Sequence, residues 1–160
     1  MLRTTIVASA VTLALGACRE HPSGPPPHAH DDSHGGEAVT TLALDDGKKW
    51  PTDAPLRAGM SSIRDQLQAG IAPIPAGTYS ARDYASLAAA IDREVSGIVT
   101  RCKLPPAVDA RFHVVLAQIE TGADLMKKDG DRRAGAVKVL GALEQYETFF
   151  DHPGWKPIEH

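Results

Sequence analysis

Four side chains of this sequence carry donor atoms that suit soft or borderline metal ions: the thioether of Met60, the thiol of Cys102 and the imidazoles of His113 and His152. A thiolate, two imidazoles and a thioether make up the set that selects copper, and cysteine with histidine also suits zinc. These residues are far apart in the chain, so a shared site depends on the fold. His28, His30 and His34, with Asp31 and Asp32 among them, lie close enough along the chain to wrap one divalent ion without a fold. Such a site is weak, because the ordering entropy of the segment is not prepaid. A solvated linker is the competing reading of the same residues.

The elements that position the four follow from apolar periodicity. Leu56, Met60, Ile63 and Leu67 recur every three or four residues, as do Tyr84, Leu87, Ile91, Val95, Ile98 and Cys102. Phe112, Val115, Leu116 and Ile119 form a third stripe, and Ala136, Val139, Leu140, Leu143, Tyr146 and Phe150 a fourth. Thr52 or Asp53 can cap the first helix, with Pro55 in its first turn. Ser80 with Asp83 reads as a capping box opening the second. Lys103 to Pro106 is all that joins the second and third, and a residue before proline is pushed out of the α region. Lys127, Lys128 and Gly130 suit the end of the third helix, and Asp131 is expected to cap the fourth, which Pro153 and Gly154 close. Sustained apolar/polar alternation is lacking, so no strand is expected. The sequence thus predicts helices over about 53–69, 81–102, 106–128 and 132–150, in an all-α, up-down-up-down antiparallel four-helix bundle spanning 42–160. Trp50, in the lead-in before Pro51, is expected to pack against it.

In that topology the start of the first helix, the link between the second and third, and the end of the fourth share one pole. Met60, Cys102, His113 and His152 are therefore expected near one another, although not at one depth. Met60 and His113 sit about six or seven residues into their helices, roughly 10 Å at 1.5 Å per residue. His113 also stands about 120° from the centre of its apolar face at 100° per residue, towards a neighbouring helix or water. Cys102 continues an apolar stripe, so burial as a small hydrophobe stands beside ligation. Met60 reads equally as core, and His152 as part of a turn before proline.

Residues 1–17 carry a basic Arg3, an apolar run from Ile6 to Leu15 and then small residues, the layout of a secretory signal. About 20 apolar residues are needed to span a bilayer, and this run is shorter. The tetrad Leu15-Gly16-Ala17-Cys18 resembles the lipobox of bacterial lipoproteins, which implies lipidation of Cys18 and a lipid anchor in the membrane. Position 19 is arginine rather than the aspartate that retains such proteins in the inner membrane, which implies the periplasmic side of the outer membrane. Residues 18–41 are rich in Pro, Gly, Ser and His without a period, as in a flexible tether. With Cys18 lipidated, Cys102 has no partner within the chain in an oxidising compartment.

The order of residues in the bundle resembles cytochrome b562, a periplasmic b-type cytochrome. The likeness rests on Met60-Ser-Ser-Ile63-Arg-Asp-Gln-Leu67, on Phe112 to Ile119, and on a Gly130 turn before a last helix rich in Ala, Leu and aromatic residues. In that family haem is held by a methionine early in the first helix and a histidine near the end of the fourth. Met60 matches the first position; the second falls on Phe150, with His152 two residues on. The absence of Cys-x-x-Cys-His argues against covalent haem. The stretches GKKWPTDAPLRAGM, RCKLPP and FDHPGW also resemble a group of small bacterial envelope proteins, a likeness that brings no activity with it.

A formal charge of -3 argues against nucleic acid as a partner. No Ser-His-Asp spacing, HExxH or Gly-rich phosphate loop is present, so no enzyme is expected. The expectation is an envelope lipoprotein that binds copper or zinc in a non-catalytic handling or sensing role. The alternatives are a b-type haem electron carrier and a purely structural or adaptor lipoprotein, whose envelope partner the sequence does not name.

Overall fold

In the computed structural model, which describes residues 41–159, a single carboxylate ties the start of the helical unit together. Asp53 accepts the amide of Leu56 at 2.8 Å, which caps α1 (Ala54–Gly70), and the amide of Lys103 at 2.7 Å, which fixes the link after α2 (Ala81–Arg101). Burial alone would raise its pKa, but these two amides and the Cys102 thiol hold the carboxyl below the usual value. Its contribution is therefore present above about pH 4 and lost as pH falls through the folded pKa. Asp53→Ala removes the cap and the cross-link together. We expect a loss of about 2 kcal/mol at pH 7, read by urea unfolding, and a flatter acid limb.

The remaining elements are α3 (Pro106–Met126) and α4 (Arg132–Phe149). The described residues contain four helices and no strand, only two isolated β-bridges, and the helices pack as a bundle. Leu56, Met60, Ile63 and Leu67 of α1 are wholly buried, as are Ile91 of α2, Val115 and Ile119 of α3, and Val139 and Tyr146 of α4. The expected stripes thus face one core, with two departures. Cys102 and Leu140 are half-buried, and Ala142 takes the interior place on α4.

The Ser80 and Asp83 capping box is present, with Asp83 N donating to Ser80 Oγ at 3.2 Å and Ser80 N to Asp83 Oδ2 at 2.9 Å. Asp131 departs from expectation. It precedes α4, but its backbone is already near-helical (φ -107, ψ -1), and its side chain bonds no first-turn amide. A cap of the usual kind needs extended backbone at that position. Helix α3 ends at Met126, shortly before Lys128, and Lys127 turns to Asp92 at 2.8 Å and Asp124 at 3.0 Å.

Among the pairs in clear contact α3 and α4 pack most closely and α1 and α4 most loosely, and the chain beyond α4 serves that looser pair. Phe150 leaves the helix in extended backbone beside Trp50: Trp50 N donates to Phe149 O, and Asp151 N to Trp50 O, each at 2.8 Å. The tail then returns to α1, where the Gln68 amide exchanges two hydrogen bonds with the Glu159 backbone at 3.0 and 2.9 Å. No helix of the described residues is long and apolar enough to cross a membrane. The signal segment, Cys18 and the tether histidines His28, His30 and His34 lie outside the described residues.

Candidate functional site

The link between α2 and α3 lies against the start of α1, and the end of α4 lies against the lead-in segment of Trp50, so these segments meet at one pole. Cys102 is the residue after α2, half-buried in a groove of about 220 Å³. Ile98, Leu104, Phe112 and Leu116 supply its apolar wall, and Asp109 and His113 its polar side. Burial pushes the Cys102 thiol up to about 12, and the negative charge of the neighbouring Asp53 carboxylate adds to the shift. The free protein therefore holds a protonated thiol at neutral pH.

His113 is exposed on the outer side of α3, as its place on the helical wheel requires, with 62% of its side chain accessible. Its Nδ1 lies 2.9 Å from the Asp109 carbonyl oxygen and 3.4 Å from the Asp109 carboxylate. A carbonyl only accepts, so in the neutral ring Nδ1 carries the proton and Nε2 the lone pair. Metal-binding histidines are oriented by the same kind of contact.

The other two candidates are elsewhere. Met60 has no exposed surface and lies in the core among the helices. His152 is half-buried under the tail, with Nδ1 3.0 Å from the Tyr146 hydroxyl and Nε2 3.4 Å from Ser61 Oγ. Its ring also rests on Trp155, with centroids 5.1 Å apart. Desolvation, with Arg57 and Arg64 nearby, holds its pKa below the ordinary histidine value. So the fold brings Cys102 and His113 to one groove and keeps Met60 and His152 out of it. Comparison with protein-family models, curated proteins and solved structures returns no match. The site must be judged on its own chemistry.

Among the described residues no cluster of three His, Cys, Asp or Glu side chains is arranged to hold a metal ion. The groove offers two strong donors, Cys102 and the free Nε2 of His113, and a closed coordination sphere needs more. Haem fits these residues poorly. Phe150, at the position where the cytochrome likeness requires histidine, has no ligating atom and is 1% exposed against Tyr146 and Phe112, while Met60 has no exposed surface.

Two features escaped the residue spacing. Asp109 is the partner that orients His113; its signal was the four-residue separation, which places both on one helix face. The second is the set Ser61, Tyr146, His152 and Trp155, assembled only when the tail folds back. Trp155 Nε1 and Arg64 Nε are buried there without a partner among the described residues.

Proposed function

We propose that the chain is a lipid-anchored envelope protein that binds a copper-like or zinc ion in a non-catalytic handling or sensing role, with Cys102 and His113 as the ligands of the folded unit. The observation that carries this reading is their shared groove, in which the Asp109 carbonyl leaves His113 Nε2 free to ligate. His28, His30 and His34 make a second, weaker site of their own on the tether. Ligation displaces the thiol proton, so affinity rises with pH.

The anchor reading rests on the lipobox at Cys18, the antiparallel up-down order on the short links, and outer-membrane placement on Arg19. Cys18→Ser should move the protein from the membrane fraction to the soluble periplasmic fraction; unchanged fractionation would count against lipidation. With that soluble variant, titration with Cu(I) and Zn(II) tests the metal reading. Cys102→Ser should weaken binding at the groove at least tenfold, His113→Ala should weaken it similarly, and replacement of His28, His30 and His34 by alanine should remove only a weaker second binding event. Binding indifferent to both groove substitutions would remove the site.

A purely structural or adaptor lipoprotein is the second reading. It is favoured by the burial of Met60 and the internal hydrogen bonds of His152, which leave the pole with two free donors. Under it neither metal ion binds above the level of the tether. The haem carrier is the least supported reading, and a Soret band on reconstitution would revive it.

A further inference from the structure

The opposite end of the bundle carries a site of another chemistry. There the last turn of α1, the connection 71–80 and the first turns of α4 enclose a groove of about 160 Å³. Leu67, Ile71, Ile74, Ala136, Val137 and Leu140 line it, and Arg133 is the one charged residue on its wall. Val137, 57% exposed, is among the few large apolar side chains that the described residues leave to solvent. A dry cavity of about 150 Å³ is known to accept a benzene-sized guest, so this groove holds an apolar piece of roughly six carbons with the remainder projecting.

Arg133 also borders a second depression, of about 240 Å³, on the side towards α2. Tyr79, Tyr84, Gly130 and Arg132 complete its wall. Arg132 is paired with the Asp129 carboxylate, whereas Arg133 makes no ion pair among the described residues. The two neighbouring cavities thus present an apolar slot and a polar recess on either side of one uncommitted guanidinium. We propose that this end of the bundle binds a monomeric anionic amphiphile, a single alkyl chain seated in the slot with its carboxylate or phosphate head at Arg133. A slot of about 160 Å³ takes a segment of one chain, and the head must be anionic to meet a guanidinium without a counter-charge among the described residues. A membrane surface fits less well. The slot is concave and small, about 160 Å³, which suits one free chain better than the broad face of a bilayer.

The proposal uses no residue of the metal reading, and either can fail alone. Its test is calorimetric titration of the full chain carrying Cys18→Ser with dodecanoate below its micelle concentration, beside the dodecyltrimethylammonium cation of equal chain length. Dodecanoate should bind saturably at one site, and the cation should not. Arg133→Glu and Val137→Asp alter exposed positions, so both variants should keep the helical circular dichroism of the parent, and each should weaken dodecanoate about tenfold or more. Amide hydrogen exchange should slow on binding in 71–80 and the first turn of α4, a readout that needs no variant. Vesicles of phosphatidylglycerol separate the free amphiphile from a bilayer. Binding to vesicles without binding to dodecanoate overturns the proposal, as does equal affinity for the cation, affinity unchanged in both variants, or no saturable binding.

Discussion

Gly135→Ala is expected to lower the melting temperature by about 10 °C, although alanine is the better helix former. A Cβ built at Gly135 would lie 2.5 Å from the carbonyl oxygen of Gly122, 2.7 Å from the amide nitrogen of Met126 and 2.8 Å from Met126 Cγ. Two of these are backbone atoms of α3, so no rotamer change relieves the contact. The helices must move apart along their closest seam. Overpacking of this kind costs about 1–3 kcal/mol, more where backbone has to shift, and the helix-propensity gain of alanine offsets about 1 kcal/mol. Backbone contacts place the cost at the top of that range, so a net loss of about 2 kcal/mol remains, which converts to roughly 10 °C for a domain of this size. Gly141→Ala is the internal control. It lies on the same helix with nothing within 4 Å of the added carbon, and should stabilise by about 0.5–1 kcal/mol. Thermal melts followed at the helical circular dichroism band compare the two, and equal behaviour would mean that α3 and α4 do not pack through these glycines.

That pair also marks the limit of what periodicity can tell. Gly122 and Gly135 stand 13 positions apart, and neither neighbourhood hints that the two backbones meet. In sequence each is merely a weak helix residue. The stripes were legible because a helix that buries one face must repeat its apolar residues every three or four positions. Met60 illustrates the cost of that success for the site. The spacing that places it on α1 also drives its sulfur into the core, away from the groove of Cys102. Common residence at one pole follows from topology, but depth and side-chain direction do not. His113 was the opposite case, since its angle from the apolar face pointed it outward and the groove rim is where it stands. The tail was the least legible part. Pro153 and Gly154 announce the end of α4, yet the return to Gln68 depends on a partner 91 residues away. With it went the surroundings of His152, which read locally as one histidine before a proline.

Tyr146→Ala should have the largest effect of any single substitution at the Cys102 pole, about 4 kcal/mol, because the side chain it removes is a fully buried aromatic joining α4 to the tail. Its ring stacks on Phe150 at 5.3 Å with planes 12° apart, and meets Trp155 edge-on at 5.0 Å and Phe112 at 6.4 Å. Without it Trp155 loses its support, so its fluorescence should shift towards that of exposed tryptophan under conditions where the helices persist. Tyr146→Phe keeps the packing and deletes only the hydroxyl that faces His152 Nδ1, and should cost about 1 kcal/mol. The pH dependence separates the two variants further. Desolvation depresses the His152 pKa in the fold, Arg57 and Arg64 of α1 act in the same direction, and the neighbouring Asp151 opposes them. Above the unfolded value, about 6.5, both states hold a neutral ring and the full stability is present. As pH falls below it the unfolded chain takes up the proton first, so stability declines until the folded pKa is passed. Melts between pH 7.5 and 5 should therefore show this decline in the parent and in Tyr146→Phe. It should be absent in His152→Gln, which has no titrating ring, and reduced in Tyr146→Ala, where the loosened tail returns His152 to solvent. A decline of equal size in His152→Gln would assign the acid sensitivity to other groups and remove His152 from the account.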